Sequence, residues 1–175
     1  MNITTNKVRI LLIMGVVLGL TLTANAQKKS GDAAIGLGMA YGFDIATDGE
    51  LGFNANAYYS LTDGIRVGAD FIYYLLNDPQ FQSPRFFEVN INSSYHFVNM
   101  EVLRIYVLVG MHYASFRYDR PVIASDSEES HNEFGLNIGG GVELDYETII
   151  LFLEPKLTID GFDQFSITVG GRIPF

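Results

Sequence analysis

Cysteine and tryptophan are both absent from this chain of 175 residues. Without cysteine, a disulfide framework, a thiolate metal site and a lipidated cysteine of the lipoprotein kind are all excluded. Positive charge is scarce as well, since 11 Lys and Arg stand against 20 Asp and Glu, for a formal net charge of −9. No basic cluster is present to follow a phosphate backbone, so the sequence argues against nucleic-acid binding.

A long apolar helix is also missing. The main apolar run, residues 10–20, is shorter than the roughly twenty residues that a membrane-spanning helix needs. It follows Lys7 and Arg9 and precedes Ala24, Asn25 and Ala26, an order typical of a cleavable secretory signal peptide. We expect a Sec-type signal peptide at residues 1–26 to be removed, leaving residues 27–175 as one mature domain.

From about residue 33, large apolar residues alternate with small, polar or charged ones, which is the pattern of β-strands. In the first segment, Leu37 and Met39 lie on one face and Gly36 and Gly38 on the other. Eight such segments follow one another, each of the length that a tilted transmembrane strand needs. The sequence therefore predicts an all-β fold, an eight-stranded antiparallel up-and-down transmembrane β-barrel.

The connections between these segments alternate in length. Short turns are predicted at residues 62–64, 98–102 and 145–148, and longer polar loops at residues 44–50, 76–84 and 119–132. A last loop, residues 160–163, is short. Short inner turns and longer outer loops are typical of outer-membrane barrels. Because Pro155 lacks a backbone donor, we expect a bulge or a locally broken ladder around it.

The face that carries the large apolar residues distinguishes a membrane barrel from a soluble, lipocalin-like carrier of an apolar ligand. The interior of an eight-stranded barrel is too narrow for the bulky set, which we therefore place outside. Its aromatic members gather at the two segment ends, as the girdles at two membrane interfaces do. The outer girdle comprises Tyr41, Phe43, Phe53, Phe71, Tyr73, Phe87, Tyr113, Phe134 and Phe165, and the inner girdle comprises Tyr59, Tyr95, Phe97 and Phe175.

Charged residues of both signs fall on the opposite, inward face. They are Arg66, Asp70, Glu88, Arg104, Glu143, Glu154, Lys156 and Arg172. We expect them to pair and fill the lumen, because buried charges need partners. The alternative is a narrow ion path in which the same charges select the ion.

Evidence for catalysis is weak. His96 and His112 face inward with Ser94 nearby, but no nucleophile elbow, metal triad or phosphate loop accompanies them. The acidic run at residues 127–131 is interpreted as a solvated loop; the alternative is a loop that binds a divalent cation, although its spacing does not match a Ca²⁺ loop. We therefore predict no enzymatic activity, no cofactor and no metal site.

The final segment, from Phe165 to Phe175, alternates regularly and ends on Phe175. With it, residues 33–175 resemble the small eight-stranded outer-membrane barrels of the A, X and W types, although Pro174 departs from their pattern. The resemblance implies a bacterial outer-membrane location, contact with lipid and lipopolysaccharide, and recognition by the barrel assembly machinery. It also implies a single domain with a structural or surface-interaction role for the outer loops. The alternative is a narrow porin-like channel for ions or small hydrophobic molecules.

Overall fold

A computed structural model describes residues 30–43, 49–76, 82–119 and 128–175. These residues form β1 (Ala33–Phe43), β2 (Glu50–Ser60), β3 (Ile65–Tyr74), β4 (Gln82–Asn99), β5 (Leu103–Asp119), β6 (Glu128–Asp145), β7 (Ile150–Ile159) and β8 (Gln164–Pro174). Each strand pairs antiparallel with the next, and β1 pairs with β8, so the sheet closes. The predicted eight-stranded antiparallel barrel is confirmed. Across the described ranges, no helix is long and apolar enough to span a membrane.

The alternation along each strand sorts the side chains between the two faces of the wall. Leu37 is 72% exposed and Met111 is 61% exposed on the outer surface. Glu88 and Glu143, on the interior face, are both 0% exposed. The barrel is thus apolar outside and polar inside, the reverse of a soluble carrier with an apolar cavity.

Glycine allows the wall to fold closely around large interior side chains. A Cβ on Gly170 of β8 would lie 2.3 Å from the Leu37 carbonyl oxygen and 2.8 Å from the Phe152 ring. No other residue fits there without displacing backbone. The glycine therefore makes room for Phe152, a large ring inside a narrow barrel.

Three strands are longer than the sequence predicted. β4 and β6 have 18 residues and β5 has 17, whereas the other strands have 10 or 11. The predicted outer loop at residues 119–132 is wrong in part, since Glu128 pairs with Asp119 and begins β6. The same correction applies to the acidic run, of which residues 128–131 are strand. Residues 120–127 lie outside the described residues.

Other predicted connections differ in smaller ways. The inner turn at residues 98–102 is shorter, because β4 continues to Asn99. The predicted loops at residues 44–50 and 76–84 are both shorter at their ends, because Glu50 begins β2 and Gln82 begins β4. Residues 44–48 and 77–81 lie outside the described residues. The short loop at residues 160–163 lies where it was predicted, between β7 and β8.

Irregularities in the ladder have local causes. The β4–β5 pairing shifts between His96 and Val98, which leaves Phe97 as the extra residue of a β-bulge. The β6–β7 pairing is interrupted between Gly139 and Val142 without a change of register, and Pro155 lies in the facing gap. Because Pro155 has no N–H to donate, the ladder is locally broken there and no bulge is needed.

Pro174 leaves the closing seam of the barrel intact. The next residue, Phe175, donates its N–H to the Ala33 carbonyl at 2.9 Å and accepts the Ala33 N–H at 3.3 Å. Since backbone groups of successive strand residues point to opposite sides, Pro174 faces away from β1. Pro174 therefore faces β7, but β8 extends past the first residue of β7 at this point, so no β7 residue stands opposite Pro174. The missing N–H donor of Pro174 thus costs no hydrogen bond of the ladder.

Candidate functional site

The inner half of the lumen is organised around one carboxylate. Glu143 on β6 accepts from Arg66 Nη1 at 2.8 and 3.0 Å, from Arg172 Nη1 at 2.6 Å and from Arg104 Nη1 at 3.4 Å. We call these four residues the Glu143 cluster. The three arginines come from β3, β8 and β5, so the cluster joins opposite sides of the barrel.

Two further carboxylates balance the charge of the three arginines. Arg172 Nη2 lies 3.5 Å from Glu154 Oε2, and Arg104 Nη2 donates to Asp145. Arg172 also donates through Nε to the Asn56 side-chain oxygen at 2.8 Å. Three positive charges thus meet three negative ones, the condition under which ionic groups are tolerated in an interior.

Aromatic rings support the arginines from the sides. The Arg66 guanidinium carbon lies 4.1 Å from the centre of the Tyr58 ring, and that of Arg172 lies 3.8 Å from the centre of the Phe152 ring. Both distances are within the range of cation–π attraction. The rings also hold the planar guanidinium groups in the orientation in which they reach Glu143.

A second polar group lies further along the lumen, around Asp70. The Asp70 carboxylate accepts from Asn90 Nδ2 and Asn92 Nδ2, both at 2.9 Å, and from Lys156 Nζ at 3.3 Å. Asn137 Nδ2 donates to Asn90 Oδ1 at 2.8 Å and to Asn92 Oδ1 at 3.1 Å. We call these residues the Asp70 cluster, which ties β3, β4, β6 and β7 together.

Glu88 extends the polar core toward the outer end. Its carboxylate accepts from the Gln164 amide and lies 4.0 Å from His112 Nδ1. His112 Nδ1 is itself 2.9 Å from Asn90 Oδ1, which links Glu88 to the Asp70 cluster. All eight charged residues predicted for the lumen thus lie on the interior face, divided between the surroundings of Glu143 and those of Asp70.

The sequence did not identify the neutral partners of these charges. Asn56, Asn90, Asn92 and Asn137 occupy inward positions of their strands, as do the rings of Tyr58 and Phe152. The sequence did place them on the same strand face as the charged residues, and this was the only indication that they could be partners. An alternating strand pattern assigns a residue to a face but says nothing of its partner on another strand.

An apolar plug closes the outer end of the lumen. It consists of the buried residues Ala40, Ile72, Tyr74, Phe86 and Ala114, with Leu76, Phe116 and Phe162 packed against them. Phe162 comes from the short loop between β7 and β8, and its ring meets that of Phe86 edge-on at 5.4 Å. Its N–H donates to Glu133 Oε2 on β6 at 2.8 Å, which holds the loop over the lumen.

A polar cavity of about 50 Å³ remains between the two charged clusters. Asp70, Tyr58, Arg66, Glu143 and Glu154 are among its lining residues. This volume is enough for a few water molecules, each of which needs about 10–15 Å³. The cavity is therefore large enough to hold water, and the plug covers the lumen on the outer side.

His96 and His112 are both buried in the lumen. His96 packs against the Tyr106 ring at 4.9 Å, and His112 contacts Asn90 and Glu88. Among the described residues, no group of three or more His, Asp or Glu side chains is placed to hold a metal ion.

The predicted girdle residues lie on the outer surface of the wall. Tyr41, Phe43, Phe53, Tyr59, Phe71, Tyr73, Phe134, Phe165 and Phe175 are exposed, and Phe87, Tyr95, Phe97 and Tyr113 are half-buried. Several outer members touch in sequence around the barrel, with Phe71–Phe87 at 5.9 Å, Phe87–Tyr113 at 6.4 Å and Tyr113–Phe134 at 4.9 Å. Such a belt of rings suits a membrane interface.

The lengthened strands form a separate feature, which we call the outer sheet. It comprises Gln82–Arg85 of β4, Ser115–Asp119 of β5 and Glu128–Gly135 of β6. The β3–β4 pairing reaches only Phe86 and the β6–β7 pairing begins at Leu136. In the part of the chain that the structure describes, both edges of the outer sheet are therefore unpaired.

Comparison with known proteins identifies the architecture. Residues 12–148 match the family model of the outer membrane protein beta-barrel domain. No curated protein matches the chain in sequence.

Solved structures share the fold at low sequence identity. The N-terminal β-barrel domain of OprF from Pseudomonas aeruginosa is 21% identical, with a TM-score of 0.62 over 85% of this chain and 100% of that chain. Ail, the attachment invasion locus protein of Yersinia pestis, solved with the heparin analogue sucrose octasulfate, is 15% identical, with a TM-score of 0.61 over 83% of this chain and 99% of that chain. OprG from Pseudomonas aeruginosa is 12% identical, with a TM-score of 0.62 over 84% of this chain and 97% of that chain.

Proposed function

This chain belongs to the family of outer membrane protein beta-barrel domains, and from that membership we propose that it is a non-enzymatic surface-interaction protein of the bacterial outer membrane. The outer sheet supplies the contact surface and the closed barrel anchors it. The observation that supports this proposal most directly is that β4, β5 and β6 extend beyond the neighbouring strands β3 and β7.

The closed lumen supports an anchoring role for the barrel. The ions of the Glu143 cluster and the Asp70 cluster are mutually paired, and the plug covers them on the outer side. A barrel filled in this way is rigid, because each paired charge holds two or more strands in register. Rigid scaffolds that present variable outer segments are a common way to build a binding surface.

The outer sheet is larger than anchoring requires. A strand of about 9–11 residues is sufficient to cross the membrane, whereas β4, β5 and β6 have 18, 17 and 18. The additional residues are strongly polar, and Arg85, Arg117 and Glu133 are exposed. Such an extension costs conformational entropy in folding and serves no barrel-closing purpose, which favours a role in contact.

Photo-cross-linking on intact cells tests this proposal. A photoreactive amino acid replaces Ser130 in the outer sheet, and the matched control replaces Val109, which is 59% exposed in the apolar band. We expect discrete adducts with surface components from position 130 and none from position 109. The proposal fails if position 130 gives no adduct on cells that display the folded protein.

A narrow channel is the second candidate, favoured by the polar cavity beside Glu143 and Asp70. For conduction the plug must open, and Phe162 is the member that arrives on a loop. Phe162→Ala should then raise single-channel conductance in planar bilayers, with the exposed loop change Asp160→Asn as control. If neither variant gives single-channel currents, the channel is rejected.

The interior charges have a structural role in this proposal. The eight predicted lumen residues form a network that fills the barrel and fixes the strands, and the aromatic rings of the two girdles hold it at the membrane interfaces. Replacement of Phe87 by Leu, compared with the same change at the plug residue Phe86, separates these roles. The girdle change should weaken membrane insertion, whereas the plug change should weaken the folded barrel.

We also propose the export route and the partners of assembly. A Sec-type signal peptide at residues 1–26 is removed, and residues 27–175 then fold with the barrel assembly machinery among lipid and lipopolysaccharide. Support comes from the A-x-A pattern ending at Ala26 and from the pairing of Gly31 N–H with the Ser60 carbonyl at 2.9 Å. Mass spectrometry of the membrane-extracted protein should show Gln27 as the first residue. Retention of residues 1–26 would contradict the cleavage.

A further inference from the structure

The two free edges of the outer sheet differ in how well they are protected. The β4 edge carries Pro84 and the exposed Arg85, and its pairing with β5 is irregular between Gln82 and Arg85. Proline, an exposed charge and a bulge are the usual devices that stop a sheet edge from pairing with another chain. This edge is therefore a poor template for a further strand.

The β6 edge has a regular geometry. From Leu144 to Glu128, β6 keeps a single uninterrupted register with β5. By sequence, residues 128–133 contain neither proline nor lysine nor arginine. Among the described residues, the pairing of β6 with β7 reaches no further than Leu136 of β6. Within the same residues, the loop that follows β7 contacts β6 only at Glu133 and around Gly135.

The direction of the free backbone groups follows from one hydrogen bond. Asp145 donates its N–H to the Val102 carbonyl on the β5 side at 2.8 Å. Because these groups alternate along a strand and the register does not change, odd-numbered residues of β6 face β5. Glu128, Ser130 and Asn132 thus direct their N–H and C=O groups to the open side, along a line of about 13 Å.

The charged residues of the β6 edge itself and of the adjoining loop are acidic. By sequence, residues 128–133 include three glutamates, and the adjoining loop of residues 160–163 adds two aspartates. Of these, Glu133, Asp160 and Asp163 are exposed. The two arginines of the outer sheet, Arg85 and Arg117, lie on β4 and β5 and not on β6.

We propose that the β6 edge, residues 128–133, is a docking site for an extended polypeptide segment rich in lysine or arginine, which adds to the outer sheet as a further strand. Backbone hydrogen bonds to Ser130 and Asn132 supply the binding, as in other cases of strand addition. The acidic residues select a basic segment and speed its approach. This inference rests on the proposed surface role and names the partner chemistry for it.

Fluorescence anisotropy with a defined probe tests the proposal. The probe is a labelled eight-residue peptide of alternating lysine and threonine, titrated with the full barrel in neutral detergent micelles. We expect saturable binding that weakens as salt is added. Two control peptides are matched to it, one with aspartate in place of lysine and one with the same sequence but N-methylated at alternate residues. Neither control should bind.

Two variants at one position locate the site. Ser130→Pro removes a donor that faces the free edge while leaving the ladder with β5 intact, and it should weaken probe binding by about tenfold or more. Ser130→Ala keeps the donor and should bind as the parent does. Heat-dependent gel mobility and circular dichroism confirm that both variants are folded.

The outcomes separate this inference from the proposed function. Equal binding of the N-methylated and unmodified lysine peptides would show attraction of charge alone and would overturn the docking site. Unchanged binding to Ser130→Pro would do the same. If the probe fails while position 130 still forms adducts on cells, the surface role stands and the basic strand is rejected.

Discussion

Neutralising Glu143 is expected to destabilise the barrel strongly. The Glu143 carboxylate is 0% exposed and accepts from three arginines, two of them within 3.0 Å. In Glu143→Gln the amide oxygen can still accept one or two hydrogen bonds, but the cluster is left with one uncompensated positive charge. Breaking a buried pair in this way costs about 3–5 kcal/mol.

The assay is urea unfolding in phospholipid vesicles. Because the chain has no tryptophan, the folded fraction is followed by circular dichroism and by the mobility of the unheated protein on gels. The control is Glu101→Gln in an exposed inner turn, which should change the free energy of unfolding by no more than about 0.5 kcal/mol.

A double variant examines the cause of the loss. Adding Arg66→Gln to Glu143→Gln removes the surplus charge, so the pair should lose less stability than the two single changes summed, by about 0.5–3 kcal/mol. If Glu143→Gln unfolds at the same urea concentration as Glu101→Gln, or if the two effects simply add, the carboxylate does not hold the arginines as argued.

Three further tests probe the interior and the ladder by the same unfolding measurement. Arg104→Gln should cost less than Arg172→Gln, because Arg104 lies 3.4 Å from Glu143, whereas Arg172 lies 2.6 Å away and also bonds Asn56 and packs on Phe152; the reverse order would show that the pair of Arg104 with Asp145 outweighs these contacts. Gly141→Ala should destabilise by about 1–3 kcal/mol, since its Cβ would lie 2.4 Å from the Tyr106 ring. Gly171→Ala, whose Cβ would meet only the flexible end of Ile149 at 3.1 Å, is its tolerated counterpart. Pro155→Val restores a donor opposite Gly140 and should stabilise by about 1 kcal/mol, with slow hydrogen exchange at position 155; rapid exchange there would show that the gap persists.

The fold was predictable because each strand separates two different environments. Within the wall, Leu37 faces outward and Gly38 inward, and the contrast repeats along every strand. From Ser130 to Phe134 of β6 every side chain is exposed, so the contrast between the two faces disappears there. This part of the outer sheet therefore carried no signal of period two, and residues 128–132 were interpreted as loop.

The contacts of the lumen were less accessible to sequence reasoning. Strand alternation assigns Arg66 and Glu143 to the interior, but they are 77 positions apart and meet only through the stagger of the closed barrel. The plug was missed for a different reason. Phe162 belongs to a four-residue connection and has a positive φ of 53°, so no strand pattern indicated that its ring turns into the lumen.

The bond between Ala33 and Phe175 makes the two ends of the folded domain neighbours in space. A short linker between residue 175 and residue 30 would therefore span a small gap, and the chain could be reopened in an outer connection without breaking any strand pair. Circularly permuted versions of this barrel that begin at β2, β4 or β6 should consequently reach the same closed sheet, which means that the order of strands in space, rather than their order of synthesis, defines the final structure.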